Sequence, residues 1–416
     1  MNRIGKIPTR DLDDFITLIV NAYPAFEVST KEQKKKLKEY FIQLEKGDPT
    51  ISNYGLYRAG KLLGGMKFYD YTMQLFDTRI PVGGVGMIAV DLVHKKEKIC
   101  KEMVSYFIRH YDQKGYYMTA LYPFRPDFYR KMGFGYGTKQ NEYKIKPADL
   151  PRGKSKEHIR FLGKKDEKAM VDCYNRLAGQ THGMFFRSKY ELAKFRRKGV
   201  RTIGYKKGDK IQGYVAFSFK SAKLTHPLLN DIQIIEMIYE NREVFSELMT
   251  FLHTQDDEIN RIIYDTQDEY FHFAPFDPRD DSQTFFAPVY QQSNIQGVGI
   301  MYRVINTSGI FKALASHNFG GQNCRLKLTV ADSFFPKNEG SYLIHFNNGK
   351  PSLKRSCGSD VEIKLDVSDF SSMLMGCINF KSLYNYGLAE ITDAAFIDTV
   401  NGLFLTSDKP KCLTSF

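Results

Sequence analysis

A phenol stands in the stretch Tyr122 to Gly137, within the run Phe128-Tyr129-Arg130-Lys131-Met132-Gly133-Phe134. A tyrosine hydroxyl has a reference pKa of about 10, so Tyr129 is a protonated donor at neutral pH and can give a proton to a leaving group. Upstream, the run Val90-Asp-Leu-Val-His-Lys95-Lys96-Glu97-Lys98-Ile99-Cys100 reads as a strand handing over to a helix. Such a junction exposes unpaired N–H groups and the positive end of the helix dipole, which together form an anion site. Lys95 and Lys96 add positive charge there, as a phosphate-bearing cofactor requires. Cys100 reads as a small buried residue rather than a nucleophile. Tyr23 and Phe26 can equally line an acceptor pocket or pack in a core.

These groups need a scaffold, and the bulk properties bound it. With 416 residues the chain is too long for one ordinary domain, and its 42% hydrophobic and 14% aromatic content supports packed cores. No apolar leader stands at the N-terminus and no apolar run reaches about 18 residues, which predicts neither a signal peptide nor a membrane span. Six scattered cysteines without C-x-x-C spacing predict a reduced, cytoplasmic protein. Nine histidines, none at metal-ligand spacing with carboxylates, predict no metal. The net charge of +13 is spread along the chain, and its densest run, Lys31 to Lys38, is interleaved with polar residues like a solvated helix face. The distribution does not predict a nucleic-acid partner.

Two segments share a pattern. Tyr57 to Phe68 reads strand, glycine turn, strand, and Tyr205 to Phe217 repeats it about 148 residues later. Downstream, Val85 to Val90 and Ile232 to Met237 each lead into a helix at nearly the same offset. In the first copy Ile99, Cys100, Met103, Val104, Phe107, Ile108 and Tyr111 make an apolar stripe at helical period, and Tyr116 to Tyr122 returns as a strand. A strand–helix–strand unit of this length implies a parallel crossover. The second junction, Met237 to Glu243, has no glycine and two glutamates, so no phosphate cofactor is expected there. After Asn294 the alternation of Arg325 to Val330, the Asn347-Asn348-Gly349 turn and the strand Val361 to Leu365 before a helix at Ser368 describe a third, α+β domain. Boundaries are expected near 151–156 and between Gln283 and Gln296, giving domains 1–152, 153–290 and 291–416.

The run Phe128 to Phe134 matches the F-Y-x-x-x-G-F signature of GNAT-fold N-acetyltransferases. Two such copies, the second degenerate, followed by an α+β domain, resemble the Eis family, whose C-terminal domain is similar to sterol carrier proteins. Met301 to Ile305 with the helix around Ile310 looks like the opening of that domain. Asp332 to Gly340 looks like its D-P-x-x-P-x-N-x-G stretch, and the chain ends in phenylalanine, as family members often do. The resemblance implies an α+β protein of tandem GNAT folds with mixed sheets and a sterol-carrier-like third domain. It implies acetyl-CoA as co-substrate, held by the backbone of Ile88, Ala89 and Val90, by the pyrophosphate loop Lys96, Glu97, Lys98, Ile99, Cys100 and Lys101, and near Phe124 and Arg125. Lys98 stands where the family has glycine and Cys100 where it has glycine or alanine. It also implies a homohexamer and a primary-amine acceptor, such as an aminoglycoside-like amine, a polyamine or a lysine.

The chemistry this implies is direct attack in a ternary complex. An amine with a pKa of about 10.4 is mostly ammonium at pH 7 and must lose a proton before attacking a thioester. The resemblance gives the acceptor role to the terminal carboxylate of Phe416, the donor role to Tyr129, and carbonyl polarisation to the Ile88–Val90 amides. An alternative is a catalytically weakened scaffold that binds an apolar ligand through the third domain.

Overall fold

The computed structural model describes residues 2–222, 228–280, 282–286, 290–356 and 358–416; Cys357, one of the six cysteines, lies outside them. The chain divides into two units, one made of Met1–Gly137, Ile300–Pro410 and Ser415–Phe416, the other of Thr138–Gly299 and Lys411–Thr414.

The first unit opens with strand β1 (Asn2–Lys6) and helices α1 (Leu12–Ala22) and α2 (Lys31–Gly47). Helix α2 starts in a capping box: the Thr30 side chain accepts from the Gln33 N–H, and Gln33 reaches back to the Thr30 N–H. Next come β2 (Ile51–Arg58), β3 (Lys61–Leu75), β4 (Thr78–Val90), α3 (Ile99–Gln113), β5 (Met118–Leu121), α4 (Pro126–Arg130) and β6 (Gly135–Tyr136). Helix α3 forms because its apolar stripe has a sheet to cover. Ile99, Met103, Val104, Phe107, Ile108 and Tyr111 are all buried, each contributing about 1.5–3 kcal/mol of hydrophobic stabilisation. The Tyr111 hydroxyl, deep in this core, donates to the Tyr69 carbonyl at 3.0 Å.

The sheet runs β1, β2, β3, β4, β5, then the strand Met301–Val304, then β6. The last insertion corrects the expected boundaries. Met301–Val304, read from sequence as the opening of the third domain, pairs antiparallel with β5 and β6 of the first sheet. Conversely, Gln140–Ile145, assigned by sequence to 1–152, belongs to the second unit, where it pairs with Ile259–Thr266. The division therefore falls at 137/138 and 299/300 rather than at 152/153 and 290/291. Strand pairing across long sequence separations leaves no local trace in hydrophobic period.

Arg303 explains why the inserted strand stays. Its guanidinium is fully buried and makes two hydrogen bonds to Asp332, at 2.7 and 3.0 Å, with both side chains at 0% exposure. Asp332 also accepts from the Phe335 N–H, and Asn338 accepts from the Thr307 N–H and donates to the Val304 carbonyl. The Asp332-to-Gly340 stretch thus ties the third domain to the inserted strand. That domain carries a five-stranded sheet in the order Lys350–Lys354, Gly340–Asn347, Cys324–Ala331, Val361–Asp366, Ala389–Ile391. Phe311 packs against Phe319, Phe346 and Phe370 with ring centroids 5.9–6.3 Å apart, and Phe404 against Phe319, filling the interior.

The second unit repeats the architecture. The hairpin Val200–Lys207 and Lys210–Ser221 leads to Asn230–Tyr239, which pairs in parallel with Ile259–Thr266 after the helix Arg242–His253. The start of that helix is closed by its own chain, because the Asn241 side chain accepts from the Val244 N–H. The structure brings Glu157, His158 and Glu247 together, a grouping the sequence spacing had not indicated. Glu247 there accepts from both the backbone and the ring of His158, at 3.0 and 2.8 Å.

Replacing Arg303 by Ala leaves Asp332 buried without its counter-ion. The expected cost is about 3–5 kcal/mol, visible as a lowered melting transition, whereas Arg303→Ala with Asp332→Ala together should recover much of the loss. Equal melting of the single variant and the parent would remove this role.

Candidate active site in the first unit

Strands β4 and β5 pair in parallel only from Val82–Met118 to Val85–Leu121. Beyond Val85, β4 continues beside β3 but through a shift in register, with Gly65 opposite Ala89 and Lys67 opposite Gly86. Two residues of β4, Met87 and Ile88, therefore face one on β3, which makes a β-bulge. Met87 sits there at φ 51°, in the left-handed region, at a cost of about 1–2 kcal/mol for a residue with a Cβ. Past Val85 and Leu121 the two strands no longer pair, and a cavity of about 320 Å³ lined by residues of both lies there. Tyr129 and Phe416 both line it, with Tyr23, Phe26, Ile88, Tyr122 and Phe124 among the others.

Tyr129 is delivered by α4, whose first turn contains Pro126. Its ring packs edge-on against Phe128 and Phe134, and only 7% of the residue is exposed. Burial, then the neighbouring Cys100 and Tyr23, raise its pKa above the ordinary phenol value, so the hydroxyl holds its proton. Among the described residues that hydroxyl has no hydrogen-bond partner. The rest of the signature anchors α4. Gly133, at φ +81°, leaves room where a Cβ would lie 2.7 Å from Val367 and 2.8 Å from the Arg303 guanidinium. Arg130 donates to Asp369 at 2.8 Å, and the Ser372 hydroxyl donates to the Tyr136 carbonyl at 2.9 Å.

Phe416 also lines this cavity. Its ring meets Tyr69, Tyr71 and Tyr122 at centroid distances of 5.7, 5.1 and 5.4 Å. Tyr69 and Tyr71 stack on each other almost parallel, at 4°. The backbone of Phe416 rests against β4 because Gly86 has no side chain: a Cβ there would lie 2.6 Å from the Phe416 main-chain carbon and 3.1 Å from its oxygen. At Gly84 a Cβ would meet the Tyr71 ring at 2.7 Å and the Phe416 ring at 3.2 Å. Glycine inside a strand marks close approach of another group, so the G-G-x-G run of β4 was a signal in the sequence that its reading did not use.

The other nominated residues fall into three groups. Ile88, Ala89 and Val90 lie on β4 beyond its parting from β5; Ala89 pairs with Gly65, Val90 pairs with Gly64, and the Ile88 carbonyl accepts from the Tyr23 hydroxyl at 2.9 Å. Lys96, Glu97 and Lys98 lead into α3, and Ile99, Cys100 and Lys101 are its first residues. Lys96 and Lys98 both adopt left-handed backbone, at φ 68° and 62°, and Lys98 caps the helix without a side-chain hydrogen bond. The lysine that replaces the expected glycine thus keeps a glycine-like conformation, and the first-turn N–H groups have no side-chain cap. Glu97 is turned aside by the Arg58 guanidinium at 2.5 Å and by His94 at 3.1 Å, and these hydrogen bonds, Arg58 first, hold its carboxyl below the usual range. Cys100, half-buried, has its thiol pushed up to about 12 by burial, which leaves it an inert thiol. Lys101 stands 5.7 Å over the Phe334 ring. Phe124 is 85% exposed at the cavity mouth, and Arg125 is engaged by Asp127 at 2.6 and 3.1 Å.

Comparison with known proteins gives three matches along the chain. A model of the acetyltransferase (GNAT) domain matches residues 3–137, a second GNAT model matches 183–304, and a sterol carrier protein domain matches 310–413. Three solved structures align over the whole of both chains. A GCN5-related N-acetyltransferase from Anabaena variabilis superposes with a TM-score of 0.81 at 15% identity, one from Kribbella flavida with 0.76 at 16%, and Eis1 from Mycobacterium abscessus with 0.76 at 18%. At these identities the likeness speaks for the fold. No curated protein matches the sequence.

If Gly86 is the seat of the terminal residue, Gly86→Ala expels it. Carboxypeptidase should then release Phe416 from the variant about tenfold faster than from the parent, since cleavage tracks the open population of a tail. Equal release rates would mean that the carboxylate does not depend on this strand.

Proposed function

We propose, on the premise that this chain is a tandem-GNAT acetyltransferase of Eis-type architecture with a sterol-carrier domain, that its first domain moves an acetyl group from acetyl-CoA to a primary amine by direct attack. One observation carries the reading: the Tyr129 phenol and the Phe416 terminus line a single cavity at the parting of β4 and β5. The first domain suits the cofactor. Helix α3 starts without a side-chain cap, and Lys95, Lys96, Lys98 and Lys101 are exposed around its first turn, a setting for a pyrophosphate. When bound, acetyl-CoA supplies the acyl group and a thiolate as leaving group.

The residues divide the remaining work. The Phe416 carboxylate accepts a hydrogen bond from the acceptor's ammonium and takes its proton, directly or through water, which frees the nitrogen lone pair. Backbone N–H groups of β4 from Ile88 to Val90 polarise the carbonyl that is attacked. Tyr129 holds a proton at its hydroxyl and gives it to the departing sulfur. No covalent bond to the protein forms. Lysine side chains, polyamines and aminoglycoside-like amines are the acceptors the family resemblance offers, and a cytoplasmic homohexamer belongs to the same reading.

Tyr129→Phe should lower kcat by about a hundredfold while leaving acetyl-CoA affinity nearly unchanged. The sign of the pH dependence is set by burial, which raises the phenol's pKa and extends its protonated form upward. The parent's kcat should therefore show no alkaline fall from this group below pH of about 10. An unchanged kcat in Tyr129→Phe removes the acid role.

A further inference from the structure

We propose that the acceptor is a monoamine, one ammonium carried on an apolar or aromatic body, and that amines with two or more positive charges are selected against. This rests on the acetyl-transfer reading and narrows it to a substrate class. Around Tyr129 and Phe416 the cavity is walled by Tyr23, Phe26, Met87, Ile88, Tyr122 and Phe124, among other residues of which none has an acidic side chain. Among the described lining residues the one carboxylate is the chain terminus itself. It can pair with one ammonium. A second would lose its water with no counter-ion to replace it.

A buried cation stands on the same sheet face. Lys67 is the cross-strand partner of Gly86, so it shares the sheet face on which the Phe416 carboxyl rests. It is buried, with its ammonium 3.5 Å over the Phe41 ring. Burial draws its pKa down to about 8, which still leaves it mostly cationic at neutral pH. Glu45, the carboxylate that acts on Lys67, is already answered by that cation.

What the cavity does offer is ring surface. Tyr23 and Phe26 stack at 5.5 Å and 16°, and the Tyr23 hydroxyl is tied to the Ile88 carbonyl, so this ledge is held in place. Phe26 is 44% exposed and Phe124 85% exposed, so apolar faces continue to the mouth. Such faces take an apolar body by burial and a lone ammonium by cation–π attraction. The volume of about 320 Å³ lies at the low end of ligand pockets, roughly 300–1,000 Å³, which suits a small amine.

The test compares hexylamine with hexamethylenediamine, which differ by one terminal ammonium, and adds phenethylamine and spermidine. The full chain is used with acetyl-CoA, and free CoA is read out. The monoamines should exceed the di- and polyamine in kcat/KM by about tenfold or more. Equal or reversed preference overturns the proposal. Phe26→Glu places a carboxylate at the exposed ledge and should shrink the hexylamine-to-diamine ratio toward one; an unchanged ratio would overturn the assignment of selectivity to this cavity. If acetyl-CoA raises the melting temperature but none of these amines is acetylated, the acceptor class is wrong while the cofactor reading stands. If acetyl-CoA neither stabilises the protein nor is consumed, the acetyl-transfer reading has failed and this proposal falls with it.

Discussion

Four residues of parallel pairing join β4 to β5, and at Val85 and Leu121 that pairing stops while β4 goes on beside β3 through the bulge at Met87. Every feature of the candidate site depends on this parting. It opens the cavity and frees the edge of β4 from a strand partner beside Gly86, against which Phe416 lies. It also has a local cost, because Met87 holds a left-handed backbone that a residue with a Cβ adopts only when its surroundings impose it. The packing of Met87 against the core under α1 and α2, and the Tyr23 hydroxyl bonded to Ile88, supply that imposition.

The second unit makes an informative contrast. There the parallel pairing of Asn230–Tyr239 with Ile259–Thr266 ends at Ile234 and Tyr264, and the neighbouring hairpin strand shifts register between Ala216 and Phe217. The strands part as in the first unit. Beyond that parting the interior is filled: Glu236, fully buried, accepts from Arg187 at 2.7 and 2.8 Å, from Lys194 at 2.8 Å and from the Tyr214 hydroxyl at 2.6 Å. Burial alone would raise its pKa, yet Arg187 and Lys194 hold it at about 2, so it stays an anion. Arg187 in turn lies 3.6 Å over the Tyr174 ring. One backbone geometry thus serves an open site in one copy and a closed ionic core in the other, and side-chain chemistry makes the difference.

Much of this was legible in the sequence where the signal was local. The stripe of α3, the two hairpins and the alternation of Arg325 to Val330 all arise from short-range period. The missing pieces are long-range. Met301–Val304 reads like the first strand of a new domain, and only its pairing with β5 and β6 shows otherwise; a charged Arg303 inside an apolar strand was its one hint. The glycines of β4 were visible, but not the residue that fills them, because their occupant comes from the far end of the chain. Resemblance nominated Phe416; the structure seats that residue against Gly86.

The central claim is that the terminal carboxylate, and not merely the terminal ring, works in the cavity. A semisynthetic protein whose Phe416 ends in a carboxamide keeps the phenylalanine ring and its tyrosine neighbours while removing the negative charge and the basic oxygen. With acetyl-CoA and a monoamine acceptor, the account predicts a fall in kcat of about a hundredfold or more with cofactor affinity unchanged. A carboxamide protein that turned over at the full rate would contradict it.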